Sequence, residues 1–329
     1  MKIPQLRILA TTYCGRRCIY CRPTGEGIPC ESSNINIDTV IRISKLYKQY
    51  GGNEIKFTGG DPIFWDGLSK CIKILKQEVQ IENIEIITRS PTIIDYIPNL
   101  ISSGLDKLDF SLDTLSPTKH KQITGIDDLN ELIDAITQCV NIGVKCKINT
   151  VVMNWINREE IFDLICWAEK IGIRKIKLLD VITDLHDDSS YKNKKYLYDI
   201  YNKTLQDLYV PLSEISQDLR TKSISERLIF QGGLGHPMNC FKLESGLEVI
   251  VKDHHNGAWY GELCISCVKF PCHDALMALR LTSDEKLQFC LLNENISLDI
   301  SKLDERSLVS VFDNILDVYR KAFFVPSVE

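Results

Sequence analysis

Short runs rich in β-branched and apolar residues recur through the first half of the chain, at 6–11, 54–58, 84–88, 107–111, 145–152 and 175–179. The segments between them, 37–50, 65–79, 92–103, 127–142 and 158–171, carry apolar residues at three-to-four spacing, the signature of amphipathic helices. Several stop at a glycine, Gly51, Gly104, Gly143 or Gly172, which suits the left-handed residue that closes a helix. Strands that alternate with helices predict an α/β fold with a parallel sheet. Six such units make a partial (β/α)6 barrel, and in barrels of this kind the chemistry gathers at the C-terminal ends of the strands.

From about 183 the pattern changes. A Tyr- and Lys-rich stretch is followed by a Gly-Gly-Leu-Gly turn at 232–235, a strand at 247–252 and an amphipathic helix over 304–323 with Leu308, Val311, Ile315, Val318 and Tyr319 on one face. The expected division is a barrel at 1–182, then a linker and a small C-terminal module at 183–329.

Composition narrows the function classes. With 329 residues, 44% of them hydrophobic, the chain can bury one large core and a smaller unit. A net charge of -5 gives no general footprint for nucleic acid, so a small-molecule substrate is expected. No apolar run approaches the roughly 20 residues of a membrane helix, and Met1-Lys-Ile-Pro-Gln has no signal-peptide character, so the expected location is cytoplasmic with no membrane partner. Thirteen cysteines in such a compartment point away from a disulfide framework. Clustered ones are candidates for metal ligation, whereas Cys71, Cys139, Cys146 and Cys166 fall within helix or strand patterns and are expected in the core.

The sharpest motif is Cys14-Gly-Arg-Arg-Cys18-Ile-Tyr-Cys21, directly after the first strand. Three thiolates on one tight loop can ligate three irons of a cubane and leave the fourth open for a small ligand, the place where S-adenosylmethionine would chelate. Zinc is the alternative, but it usually takes paired spacings and four closed ligands. The second strand ends in Thr58-Gly59-Gly60-Asp61-Pro62, where paired glycines permit close backbone approach to a ligand. Strands three and four end at Thr88 and at Ser111-Leu-Asp113, short polar groups placed to bind a ribose.

A second group, Cys264-Ile-Ser-Cys267-Val-Lys-Phe-Pro-Cys272, is followed by Cys290 at the end of an expected hairpin over 280–290. Zinc or a second iron–sulfur cluster both suit this spacing, with Cys240 as a substitute ligand. Cys30 is the spare thiol nearest the first triplet, and His254 and His255 are expected to be surface or structural residues.

Together these residues resemble the radical S-adenosylmethionine superfamily, and within it the GTP 3',8-cyclases of molybdenum cofactor biosynthesis. The resemblance runs through Arg17-Cys18-Ile-Tyr-Cys21-Arg-Pro-Thr-Gly-Glu26-Gly27, Ile55-Lys-Phe-Thr-Gly-Gly-Asp-Pro62, Phe110-Ser-Leu-Asp-Thr-Leu-Ser-Pro117 with Ile123-Thr-Gly125, Lys147-Ile-Asn-Thr-Val-Val-Met153 with Asn157, and Leu281-Thr-Ser-Asp284 with Lys286-Leu-Gln-Phe-Cys290. It implies a radical SAM partial barrel with a C-terminal auxiliary-cluster module. Cys14, Cys18 and Cys21 would hold the [4Fe-4S] cluster that binds S-adenosylmethionine. Gly59, Gly60, Asp61, Thr88, Ser111 and Asn149 would bind S-adenosylmethionine itself, and Cys264, Cys267, Cys272 and Cys290 an auxiliary [4Fe-4S] cluster. Arg17, Asn149 and Asp180 would face the substrate, with Arg17 and Asp180 in catalytic roles. The expected activity is reductive cleavage of S-adenosylmethionine to a radical that abstracts hydrogen from a small, nucleotide-like substrate, with electrons from a flavodoxin- or ferredoxin-like donor.

Three departures from the cyclases bear on the substrate. Trp65 and Asp66 stand where those enzymes carry a basic residue, an added Cys272 could close the second cluster, and the terminal Gly-Gly is replaced by Val-Pro-Ser-Val-Glu. With Arg17 as the sole phosphate donor, GTP is expected to be a poor substrate. A peptide-modifying enzyme and a non-catalytic iron–sulfur sensor or electron carrier are the alternatives.

Overall fold

The computed structural model describes residues 4–21, 33–185, 194–230, 234–276, 278–293 and 296–326. Cys30, Gly232 and the last three residues of the chain, all noted in the sequence, lie outside them. The first half runs β1 (Gln5–Thr11), α1 (Ile37–Gln49), β2 (Glu54–Gly59), α2 (Leu68–Gln77), β3 (Asn83–Thr88), α3 (Ile93–Ser103), β4 (Lys107–Ser111), α4 (Pro117–Thr124), α5 (Leu129–Asn141), β5 (Cys146–Val151), α6 (Ile161–Ile171) and β6 (Lys175–Leu179). The six strands lie side by side in chain order and every neighbouring pair is parallel. This is the partial barrel that the alternation predicts. Gly51, Gly104, Gly143 and Gly172 take left-handed φ values between 89° and 102°, as helix-closing glycines do. Helix α4 is the element the periodicity misses, because eight residues opening on Pro117 hold too few apolar positions to show a face.

The second half comprises α7 (Lys194–Tyr201), α8 (Leu205–Leu208), α9 (Ser213–Lys222), β7 (Ser223–Phe230), β8 (Pro237–Leu243), β9 (Glu248–Lys252), β10 (Ala258–Tyr260), β11 (Ala278–Leu281), β12 (Lys286–Gln288), β13 (Ser297–Asp299), α10 (Glu305–Arg320) and β14 (Phe323–Val325). Its strands extend the barrel sheet at both edges: β9 adds parallel to β6 and leads out to β8 and β7, while β11 adds parallel to β1 and leads out to β12 and β13. The twelve-stranded sheet thus runs without interruption across the boundary at 182/183.

Strand alternation sorts side chains between two environments. Ile55 and Phe57, Ile148, and Ile176 and Leu178 turn to the helix-covered face and join one core with Ile43, Ile72, Leu132, Leu164 and, from α10, Leu308 and Phe312. Burying each of these contributes roughly 1.5–3 kcal/mol. Their strand neighbours Lys56, Thr58, Lys147, Asn149 and Lys177 line the lumen. On α10 the expected face is found, with Leu308, Phe312, Ile315, Leu316 and Tyr319 buried and Val311 and Val318 at its margin. Cys71, Cys139 and Cys146 are buried as expected, but Cys166 is exposed. It corrects the sequence expectation because the buried face of α6 is Ile161, Leu164, Ile165 and Ala168, and a residue two after Leu164 points away from it. Among the described residues no helix is long and apolar enough to cross a membrane.

Candidate active site

Backbone contacts on two sides hold the loop that follows β1. The Gly60 amide donates to the Thr11 carbonyl at 2.7 Å and the Asp61 amide to the Tyr13 carbonyl at 2.8 Å. A β-carbon on Gly60 would stand 2.1 Å from the Tyr13 oxygen, and one on Gly59, whose φ is +131°, would stand 2.4 Å from the Thr11 oxygen. The backbone these glycines admit is therefore that of the cysteine loop itself. On the other side the Arg17 and Ile19 amides donate to the Thr124 and Ile123 carbonyls at 2.9 and 3.0 Å.

Side chains complete the clamp. Buried Arg16 meets the Asp128 carboxylate with two hydrogen bonds of 3.0 and 2.5 Å and donates to the Arg89 carbonyl at 3.0 Å. Burial opposes ionisation of Asp128, but hydrogen bonds from His120 and Arg16 outweigh it and hold its pKa well below the usual carboxylate range. Tyr20 donates to Asp113 at 2.7 Å and accepts from Arg89 at 2.5 Å. The sequence reading singles out Arg17, whose side chain is exposed; the adjacent Arg16 is the buried arginine. Nothing in two consecutive arginines marks which one the loop turns inward.

Burial raises the Cys14 thiol to about 12 and raises Cys18 as well. A metal bound here would supply the charge that stabilises the thiolates. Cys21, whose amide donates to the Cys18 carbonyl at 3.0 Å, borders the barrel lumen.

The strand-end residues divide into two groups. Asp61 and Thr88 bond to each other: the Thr88 hydroxyl and the Arg89 amide donate to Asp61 Oδ2 at 2.8 and 2.9 Å, tying the end of β2 to the end of β3. Burial raises the Asp61 pKa even so. Ser111, Asn149 and Asp180 instead line the lumen, a cavity of about 240 Å³. Burial opposes ionisation of Asp180, but hydrogen bonds from the His254 ring and amide and the charge of Lys252 bring its pKa down to about 2.

The lumen is basic. Arg7, Lys56, Lys147, Lys177, Lys252 and Arg280 all line it, from five strands and the β11 edge, against Asp180 and Asp274. Arg280, Arg7 and Lys56 stand side by side in register, as do Asn149 and Lys177. Lys56 pairs with Glu85 at 2.6 Å and Asp109 at 2.9 Å, Lys147 with Asp109 at 2.6 Å, and Arg280 with Asp274 at 3.0 Å. Lys177 is pushed well below the usual lysine range by burial and by the charges of Lys147, Lys252, Lys56 and Arg7. Beside Arg17, the one donor the sequence expectation counts, the protein thus carries six basic side chains in the lumen. The basic groups absent after Asp61-Pro62 stand deeper, on the inward positions of the strands.

The C-terminal cysteines also come together. Cys264, Cys267, Cys272 and Cys290 line one small cavity with Phe270, Phe289 and, from α10, Val318. The expected hairpin, β11 paired antiparallel with β12, delivers Cys290. Burial pushes Cys272 up to about 12 and raises Cys264 and Cys290. Cys240 does not join them; it is buried on β8 with Met238 and Ile250.

Comparison with known proteins bears directly on this arrangement. The profile of the Radical SAM superfamily matches residues 8–168, the span from β1 to α6. The chain is 27% identical over 299 residues to the "Probable GTP 3',8-cyclase" of Archaeoglobus fulgidus, covering 90% of this chain and 89% of that one. It is 33% identical over 183 residues to the "GTP 3',8-cyclase" of Clostridium perfringens, covering 55% and 57%. The chain belongs to the radical SAM superfamily.

Membership makes this chain a radical SAM enzyme, and the superfamily implies a [4Fe-4S] cluster and S-adenosylmethionine. The fold agrees. A crystal structure of Streptococcus suis SuiB bound to precursor peptide SuiA shares it with a TM-score of 0.59 at 16% identity, covering 95% of this chain and 65% of that one. Native anSMEcpe with bound AdoMet does so with a TM-score of 0.57 at 13% identity, covering 96% and 83%. For the cysteine loop of this radical SAM enzyme, Gly60→Ala is expected to lower stability by about 3 kcal/mol, because both the loop and β2 resist the shift the methyl demands. Denaturant unfolding measures the loss, and iron content should fall with it; an unchanged midpoint with full iron loading would show that the loop does not depend on this contact.

Proposed function

We propose that this radical SAM enzyme acts on a small anionic, nucleotide-like substrate held in the barrel lumen. The observation that carries the reading is the set of six basic side chains around a cavity that also reaches Cys21. Buried lysines crowded by like charge gain most from an anion that restores the balance, and convergent Arg and Lys donors are the groups that recognise phosphate. Lys177, crowded by Lys147, Lys252, Lys56 and Arg7, would gain less from a neutral peptide segment than from an anion. The names of the cyclase relatives, which act on a nucleotide, agree in chemical class.

Within this reading Cys14, Cys18 and Cys21 hold the cluster. Gly59, Gly60, Asp61 and Thr88 build the two strand ends beside it, and Ser111 and Asn149 offer hydrogen bonds from the lumen wall. When bound, the reduced cluster and S-adenosylmethionine supply a 5'-deoxyadenosyl radical able to take hydrogen from the substrate. The side chains of this chain orient rather than react. Lys56 and Lys147, fixed by Asp109, and Arg280, fixed by Asp274, present charge at set positions, while Lys177 and Lys252 add donors from β6 and β9. Asp180 borders the same space, and Arg17 lies on the outer side of the loop. Cys264, Cys267, Cys272 and Cys290 hold an auxiliary [4Fe-4S] cluster with four protein ligands, and electrons come from a flavodoxin- or ferredoxin-like donor.

Reduced, reconstituted protein is expected to release 5'-deoxyadenosine from S-adenosylmethionine, with a loss of at least about a hundredfold in Cys18→Ala; product analysis decides, and full turnover in the variant would refute the ligand assignment. Two cubanes give roughly eight irons per chain. Elemental analysis of Cys264→Ala/Cys267→Ala should find about half of that, whereas zinc in the wild type with no iron lost on substitution would replace the auxiliary cluster by a zinc site. Finally, nucleoside triphosphates should bind more tightly than the parent nucleosides by equilibrium dialysis. Lys177→Met should weaken the triphosphates about tenfold while raising the thermal midpoint by roughly 2 °C, since it removes a desolvated charge. Equal affinity for nucleoside and triphosphate would sink the anionic reading.

A further inference from the structure

Beside the lumen, three side chains from separate parts of the chain meet, two of them without filling their bonding capacity. Asp180 follows β6, His254 follows β9, and His273 lies next to Cys272; one ligand atom from each lies within 4.8 Å of the other two. The His254 and His273 rings are 3.8 Å apart between centroids. Asp180 is buried, and its Oδ1 has no hydrogen-bond partner among the described residues; the same holds for His273 Nε2. Each orphan carries a desolvation cost that a bound cation would offset.

The remaining bonds prepare those atoms for a ligand role. His273 Nδ1 faces Asp184 Oδ2 at 2.5 Å, and the His273 amide donates to the same oxygen at 3.0 Å. A carboxylate that accepts a hydrogen bond from Nδ1–H holds the tautomer whose Nε2 carries a lone pair, the arrangement found behind metal-ligating histidines. Asp180 Oδ2 accepts from the His254 amide at 2.9 Å and meets His254 Nδ1 at 2.7 Å, which leaves Oδ1 free to turn to a cation. A neighbouring combination, Asp253 with His254 and His255, is also compact, but its oxygens are engaged. Asp253 Oδ2 accepts from Leu212 and Oδ1 from the His255 amide at 3.0 Å each, and His255 Nδ1 lies 2.8 Å from the Tyr209 hydroxyl.

We infer that Asp180, His254 and His273 form a binding site for a divalent transition cation of the Zn2+ type, separate from both cysteine sets and bordering the substrate cavity through Asp180. Two imidazoles and one carboxylate are a donor set zinc accepts with a position left open. Two lysines stand nearby, Lys252, whose Nζ donates to the His273 carbonyl at 3.2 Å, and Lys269, whose Nζ donates to the Asp184 carbonyl at 2.9 Å, and the carboxylates of Asp180 and Asp184 balance them. Sequence spacing does not hint at this site, because its three members are separated by 74 and 19 positions and follow no metal-binding pattern.

The inference does not rest on the substrate reading and is tested without turnover. Full-length protein carrying its iron clusters is incubated with ZnCl2, desalted, and its zinc counted beside its iron. About one zinc per chain is expected in the wild type and in His255→Gln, with less than about a tenth of that in His254→Gln/His273→Gln and iron unchanged in all three. Asp184→Asn should weaken zinc about ten- to a hundredfold. Zinc-edge X-ray absorption of the wild type guards against a variant that misfolds: nitrogen and oxygen neighbours at about 2.0–2.1 Å support the site, and sulfur at about 2.3 Å places the zinc on cysteines and overturns it. No retained zinc in the wild type, or full retention in the double variant, overturns it as well.

Discussion

The backbone of Gly59-Gly60 lies so close against Thr11–Tyr13 that no side chain could stand between them, and the site is organised around that contact. It fixes the start of the cysteine loop to β2, while the Arg16 fork to Asp128 fixes the middle to the region between α4 and α5. The loop that presents three thiols is thus held by rigid elements at its start and middle. Asp61, one residue further on, carries the same constraint across to β3 through Thr88 and Arg89. Residues that a sequence reading assigns to ligand binding can serve a ligand in this indirect way, by fixing the geometry of the strand ends around it.

The lumen shows the opposite economy. Lys177 is buried among four other positive charges, an arrangement that disfavours its own ionisation. Local rules broken in this way are characteristic of functional sites, where the folded state tolerates a cost that a bound ligand offsets. The contrast with the other face of the same strands is direct. Ile176 and Leu178 flank Lys177 and are buried against the helices, so one strand separates an apolar core from a charged interior.

That contrast explains what the sequence made legible. The strands and helices followed from periodicity because the helix-facing side chains are apolar at regular spacing, and the cysteine spacing carried its chemistry openly. Lys56, Lys147 and Lys177 were hidden because a lysine alternating with isoleucine looks like the solvent side of a half-exposed strand. In a barrel the second face is an interior. Arg16 was hidden by its neighbour Arg17, and the aspartate–histidine group by distance along the chain. Cys166 was misplaced because a cysteine in an apolar helix suggests burial, whereas its angular position on α6 decides otherwise.

The way the sheet is completed bears on how the protein is made. β1 leaves the ribosome some 270 residues before its outer neighbour β11, and β6 likewise waits for β9. Until then the nascent barrel carries two open edges with unpaired amides and carbonyls, the feature by which β-proteins associate wrongly. Contacts of such long sequence separation also form slowly. Closure of the lumen is therefore among the last events of folding, and the lysines inside it stay hydrated until the C-terminal strands arrive.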